Sequence, residues 1–276
     1  CVKVIAETLA SVPLPIYRRL PNGGKERATN HPLYRVLHDK PNSFQTAFDF
    51  KLMLQGHLSL RGNAYAHILP GPRGFADQLI PLHPDRVAVE KMADGTPRYK
   101  YREDNGTQVT YLQDEILHLR GMSDNGYTGL STIAMMQDSI GLSLAAEGYG
   151  SRFFRQDARP GGVLQTAGKL SQQAAARIAR DWTAIHAGYT NAHKVVVLDE
   201  GLSWQAVGMT SEDAQFLQTR QFQVTDIARG FRVPLFMIQE TEKQTSWGTG
   251  IEQLGIAFIA STMMTWFRPW EQPINA

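Results

Sequence analysis

Cysteine is all but missing from this chain of 276 residues. Cys1 is the only one, so neither an internal disulfide nor a CxxC zinc or redox site can be built, and the usage fits a reducing compartment. Charge of one sign is missing as well. The 28 Lys+Arg stand against 26 Asp+Glu for a formal net charge of +2, which excludes a histone-like polycation and argues against a tight, monomeric DNA-binding module. Nor is there a long apolar run. A bilayer span needs roughly 18 or more consecutive apolar residues, and the richest stretch, 251–267, is broken by Glu252, Gln253, Gly255, Ser261 and Thr262, so no membrane anchor is expected. The first residues lack the basic start, apolar centre and cleavage site of a signal peptide. With Cys rather than Met at position 1, the sequence reads as a piece trimmed from a longer chain. What is present is apolar matter: 42% hydrophobic and 9% aromatic residues support a real core over one to two domains and exclude wholesale disorder.

The motifs of common chemistries are absent too. Gly168-Lys169 is followed by Leu170, and Val163 stands where a phosphate-cradling loop needs its first glycine. Gly248-x-Gly250 runs on into Glu252 and Gln253, which breaks a dinucleotide fingerprint. The eight histidines include no HExxH pair, His31 and His38 are more simply surface or turn residues, and no serine sits in GxSxG. Carboxylates are harder to dismiss, because two acids distant in sequence can converge on a metal and cleave nucleic acid. Asp124 with Asp138, or Asp199 with Glu200, are the pairs to consider. Against them, Asp124-Asn125-Gly126 is a turn sequence and Glu200-Gly201 a hairpin tip. No catalytic residue, cofactor or metal ligand is assigned, and the alternative left standing is a metal-dependent nuclease acting through scattered carboxylates.

Periodicity divides the chain into a β-rich first half and a helical second half. Residues 12–17 and the turn at 22–27 predict a strand and hairpin. Phe44, Phe48, Leu52, Leu54 and Leu58, behind a capping Ser43, predict a helix to about Leu60. A strand over 64–69 follows Gly62-Asn63. Short β-prone runs at 87–89, 99–101, 109–112 and 116–119, separated by Asp94-Gly95 and Asn105-Gly106, predict hairpins. Ser131 opens a helix with Ile133, Met136, Ile140 and Leu144 on one stripe, reaching about Phe153. Ala174, Ile178, Trp182 and Ile185 share a face of a helix over 170–186, and strands are expected at 194–198 and 202–207. Thr210-x-x-Asp213 starts a helix with Leu217, Val224, Ile227, Ala228 and Phe231 inward. A polar segment, 239–248, then precedes a last apolar helix.

No internal repeat is present, but a series of distinctive phrases runs in order along nearly the entire chain. They are His31-Pro-Leu, then Lys40-Pro-Asn; Gly62-Asn-Ala-Tyr-Ala; Leu79-Ile-Pro-Leu-His-Pro-Asp-Arg-Val; Ile116-Leu-His-Leu with Gly129-Leu-Ser; and Ala145-Ala-Glu-Gly-Tyr ahead of Phe153-Phe. Pro160-Gly-Gly-Val-Leu, 192–198 with Gly201, and Ile227-Ala-Arg-Gly-Phe-Arg-Val-Pro complete the series. Together they resemble the HK97-type portal proteins of tailed bacteriophages. The resemblance implies an α+β portal-type fold with a β-rich wing, a helical stem and a small α/β clip. The family usually continues into a C-terminal crown, which is expected to be lacking here. Implied partners are further copies of the chain in a ring, typically of twelve subunits, double-stranded DNA passing non-specifically through its channel, terminase, the major capsid protein and a head-tail connector. The implied place is the portal vertex of the virion, reached from the host cytoplasm during assembly. No membrane and no catalysis are implied, since a separate terminase would hydrolyse the packaging ATP.

Laid on the periodicity, the resemblance places the wing at 1–157, stem and clip at 158–231, the channel-loop region at 232–250 and a C-terminal wing helix at 251–276. Glu240, Glu242, Lys243, Gln244 and Thr245 are the expected channel constriction, with Trp247 packed on the following helix. Without the resemblance the same segment reads as an ordinary surface loop. Gln172, Arg177, Arg180 and Asp181 are the expected exposed clip surface.

Overall fold

The computed structural model describes residues 1–276 apart from 73, 156–161, 167, 169–170, 187–202, 207–210, 241–247 and 276. The chain divides into two compact units, Cys1–Ser143 with Gln221–Ala276, and Leu144–Arg220.

The first unit opens with a helix where a strand was expected. Helix α1 (Val2–Ser11) buries Ile5, Ala6, Leu9 and Ala10, an i, i+4 stripe that the apolar run at 12–17 outweighed. That run forms no ladder over 12–16, because Pro13 and Pro15 have no N–H to give. The hairpin predicted next is present: β1 (Tyr17–Arg19) pairs antiparallel with β2 (Lys25–Arg27). His31 then caps α2 (Pro32–Tyr34), its Nδ1 accepting from the Leu33 N–H.

Helix α3 (Ala47–Arg61) starts later than predicted. Asn42 Oδ1 accepts from the N–H groups of Phe44 and Gln45, holding them in a turn, and Thr46 with Asp49 forms the capping box in place of Ser43. The delay rotates the buried stripe onto Phe50, Leu54 and Leu58 and leaves Phe44 and Phe48 exposed. The same face buries Lys51, Gln55 and Ser59. Each is satisfied: Lys51 Nζ donates to the Val12 carbonyl at 2.7 Å, Gln55 Nε2 to Ser59 Oγ at 3.1 Å, and Trp270 Nε1 to Gln55 Oε1 at 2.9 Å.

Strand β3 (Asn63–Pro70) is the centre of a three-stranded sheet between β4 (Ala76–Leu82) and β8 (Ile116–Arg120), all antiparallel. Its first four residues are buried because both faces are covered. Ala64 and Ala66 belong to the main core with Leu54 and Leu58, where small side chains let a helix approach. Tyr65 faces the other way into a second cluster with Leu82, Tyr99 and Ile116. That cluster joins the meander β5 (Val87–Lys91), β6 (Pro97–Arg102) and β7 (Gln108–Tyr111). Its two predicted turns are there, with Gly95 at φ +90° and Gly106 at φ +86°, values that only glycine adopts freely.

Ser131 caps a helix as expected, but that helix breaks. Short α4 (Thr132–Met135) ends at Met136, with φ −107° and ψ 16°, and α5 (Gln137–Arg155) begins after it. Ile133 and Met136 pack against the main core, whereas Leu144 is exposed. In the second unit, β9 (Gly162–Gln165) pairs with β10 (Ser203–Ala206) antiparallel, Gly162 opposite Ala206. The strand at 162–165 was hidden behind the turn-like Pro160-Gly161. The strand expected at 194–198 lies outside the described residues. Between β9 and β10 comes α6 (Gln172–His186).

Helix α7 (Ser211–Gly230) delivers Ala228 and then Phe231 to the main core. Val224, expected inward, is exposed, because the buried phase runs through Gln223; the side chain of Leu217 lies outside the described residues. The last segment comprises α8 (Gly248–Phe258), one π-helical turn (Ile259–Met263) and α9 (Met264–Asn275), which buries Trp270. Among the described residues no helix is long and apolar enough to cross a membrane.

Candidate channel loop and docking surfaces

The segment expected to form the channel constriction rises from a locked base. Phe231 and Val233 are buried, and between them Arg232 takes the left-handed φ of +55°, which turns its side chain away from the core. Arg232 Nη2 donates to the Ser261 carbonyl at 2.8 Å, and Thr262 Oγ1 donates to the Arg232 carbonyl at 2.8 Å. Both partners sit in the π turn, whose wider winding takes carbonyls out of the ordinary helical ladder. The lock therefore joins the two ends of 232–262. Beyond Pro234 a 3-10 turn, Leu235–Ile238, ends at Gln239 with φ +63°, and the half-buried Glu240 donates its backbone N–H to the Leu235 carbonyl. Glu242, Lys243, Gln244, Thr245 and Trp247 lie outside the described residues. Nothing in the sequence assigned Arg232, Ser261 and Thr262 a role as a lock; the faint signal is a conformationally awkward Gly230-Phe231-Arg232-Val233-Pro234 directly after a helix.

On α6, Ser171 Oγ accepts from the Ala174 N–H and opens the helix. Gln172, Arg177 and Arg180 are exposed, and Ala174 and Ile178 are half-buried. The side chains of Asp181, Trp182 and Ile185 lie outside the described residues. Gln165 Nε2 reaches Gln205 Oε1 at 3.1 Å across the β9–β10 ladder. The acids weighed for metal chemistry stay apart in role: Asp124 lies exposed in the turn held by Ser123, Asn125 and Thr128, Asp138 lies in the first turn of α5, and Asp199 and Glu200 lie outside the described residues. Among the described residues, no cluster of three or more His, Cys, Asp or Glu is arranged to hold a metal ion.

Several of the quoted phrases meet one another in space. Gly62 and Gly129 are pressed together so closely that a Cβ on Gly62 would collide with the Leu130 carbonyl and one on Gly129 with the Gly62 carbonyl. Asn63 sits beside them, its Nδ2 donating to the Arg61 and Gly129 carbonyls and its Oδ1 accepting from the Gly129 N–H at 2.7 Å. With Oδ1 fixed as an acceptor, His118 Nε2, 3.0 Å away, must donate to it, so Nδ1 accepts from the Tyr99 hydroxyl. His118 is thereby held neutral; burial, and then the Arg120 charge, lower its pKa to about 3. Burial likewise lowers His57 to about 4, the neighbouring His83 adding to the effect, and its Nδ1 is buried without a partner among the described residues. Asn42 donates to the Leu79 carbonyl while the Leu79 N–H donates to the Pro41 carbonyl, which joins Lys40-Pro-Asn to Leu79-Ile-Pro. Arg61 grips Asp85 with two hydrogen bonds, 2.7 and 2.9 Å.

Residues 1–276 match the family described as phage portal protein. The chain belongs to the phage portal protein family. It is 37% identical over 288 residues to a probable portal protein of Streptomyces phage phiC31, covering 100% of this chain and 61% of the relative. It is 33% identical over 277 residues to the portal protein of Enterobacteria phage HK97, covering 100% of this chain and 65% of the relative. The chain thus spans somewhat under two thirds of those relatives. Among solved structures it is similar to chains in the neck of a gene transfer agent particle. The empty particle, treated with C6 symmetry, gives a TM-score of 0.79 at 26% identity, and the native particle, with C12 symmetry, gives 0.76 at 25%; both cover 99% of this chain and 74% of the other. The portal fold, α+β with its β-rich part formed by the N-terminal half, follows from these likenesses.

Proposed function

We propose that this chain is a ring-forming portal subunit, set at one vertex of a capsid, through whose axial channel double-stranded DNA enters during packaging and leaves during ejection. The observation that carries the reading is the portal-family match over the whole chain. In this reading residues 1–157 with the helix at 251–276 supply the wing, 158–231 supply stem and clip, and 232–250 carry the channel loop. The loop with Glu240, Glu242, Lys243, Gln244 and Thr245 narrows the channel. Glu240 and Glu242 repel phosphate while Lys243 attracts it, so the loop touches DNA without gripping it. The near-neutral charge of +2 supports a conduit over a clamp, because each neutralised phosphate adds affinity that would hinder sliding. Gln172, Arg177, Arg180 and Asp181 form the docking face for terminase and then for the head-tail connector, and the wing meets the major capsid protein. The subunit performs no catalysis; its work is positional.

Negative-stain imaging of the purified chain tests this directly: rings with a central hole are expected, and monomers at the highest attainable concentration would overturn it. Shortening the loop over 241–247 should leave rings intact while impairing DNA packaging or retention.

A further inference from the structure

Helix α8 is apolar and uncovered. Glu252 is its one charged residue, yet Ile251 is 47% exposed, Leu254 41% and Ile256 55%, and the π turn adds Ile259 at 42%. At about 100° per residue, Ile251 and Leu254 lie on one flank with the buried Phe258 between them, and Ile256 and Ile259 lie on the opposite flank. A helix apolar on two flanks belongs in a buried setting. An 11-residue helix containing Gly248, Gly250 and Gly255 is not held by its own propensity either. Along the second flank runs a shallow groove lined by Glu252, Gly255, Ile256, Ile259, Ala260 and Met264, where Gly255 and Ala260 leave room for an inserted side chain.

Two further large apolar side chains are exposed on the same unit. Phe222 on α7 is 58% exposed and Leu142 on α5 is 59% exposed. The Arg229 guanidinium stands 5.8 Å over the Phe222 ring. Met136, directly before α5, fills the space left by Gly230 at the end of α7. A groove on α8 and an exposed ring on α7 are unlike surfaces, which is what a head-to-tail, ring-closing contact requires, since each copy must offer a different surface to each neighbour. The signs of charge are complementary: Glu252 lines the groove, and the exposed Arg229 stands beside Phe222.

We propose that the α8 groove of one copy receives Phe222 of a second copy of this chain, with Glu252 against that copy's Arg229. This deepens the ring reading above and rests on it.

The test uses the full 276-residue chain in sedimentation velocity and electron microscopy. Ile256→Glu with Ile259→Glu breaks the groove, and Phe222→Glu with Leu142→Glu breaks the inserting surface. All four side chains are solvent-exposed, so both variants should keep the parent's circular dichroism and melting temperature. Each alone should remain monomeric where the parent forms rings. Mixed and chemically fixed, they should give a heterodimer that grows no further, because one intact groove meets one intact inserting surface. Glu252→Arg should weaken association about tenfold, and adding Arg229→Glu should restore it. If either broken variant still forms parent-like rings, or if the mixture yields no heterodimer, this contact is wrong while the ring reading stands. If the parent itself stays monomeric, both fall together.

Discussion

The two units of the chain differ in where their side chains end up. In Cys1–Ser143 with Gln221–Ala276, polar groups as well as apolar ones go inside: Gln55, Ser59 and Trp270 form a closed hydrogen-bonded chain beside Leu54 and Leu58. Among the described residues of Leu144–Arg220, Gly150 alone is buried. The first unit is specified by contacts within one chain. In the second, the described residues are otherwise exposed or half-buried, and its stability should respond little to changes in exposed side chains.

The sharpest way to break that contrast is Trp270→Ala. It removes a side chain that is 1% exposed and strips Gln55 of its buried donor, so a loss of about 3–5 kcal/mol is expected in denaturant unfolding. A cost near zero would mean that the core is not where it has been placed. Gly62→Ala comes next. Its φ of +73° and the Leu130 carbonyl in its path should cost about 3 kcal/mol, whereas Gly168→Ala in the second unit, with no atom in its way, should cost almost nothing; equal melting shifts for the two would erase the difference.

Acid should also act on the first unit. His118 stays neutral in the folded chain down to about pH 3, while in the unfolded chain it takes a proton near pH 6.5. The contribution is complete above about pH 6.5 and falls as pH drops towards 3, by about 3 kcal/mol at pH 4.5. Unfolding free energy measured from pH 7 to 4 should show this slope, and His118→Gln should flatten it; an unchanged slope would exclude His118 as the cause. The smallest effect is expected on α6. Arg177→Ala with Arg180→Ala should shift stability by less than about 0.5 kcal/mol, yet reduce terminase binding in a pull-down if this face docks it.

Legibility in the sequence depended on how local each signal is. The β-meander was readable because Asp94-Gly95 and Asn105-Gly106 encode their turns locally, and β3 because Ala64 to Leu69 alternates between two covered faces. Helix α1 was missed because a proline-broken apolar run outweighed it, and the phase of α3 was misjudged because Asn42 and Thr46, not Ser43, decide where it starts. The pairing of Asn63 with Gly129, or of Arg232 with Thr262, has no local signature: each joins residues that only the folded chain brings together. The quoted phrases did mark Asn63, Gly129 and Arg232, though not Thr262, but as a family pattern rather than as a readable contact.

The π turn at Ile259–Met263 has a consequence that substitutions would not expose. A π turn is an α-turn with one residue too many, and each residue of a helix carries about 100° of rotation. The turn absorbs that surplus residue, so α8 keeps nearly the bearing that one continuous helix with α9, anchored by Trp270, would give it. Losing one residue from the turn would restore ordinary winding and leave Ile256 facing as before, but would return the Ser261 carbonyl to the helical ladder and away from Arg232. A shortening here would therefore spare the helix and undo the lock beside it.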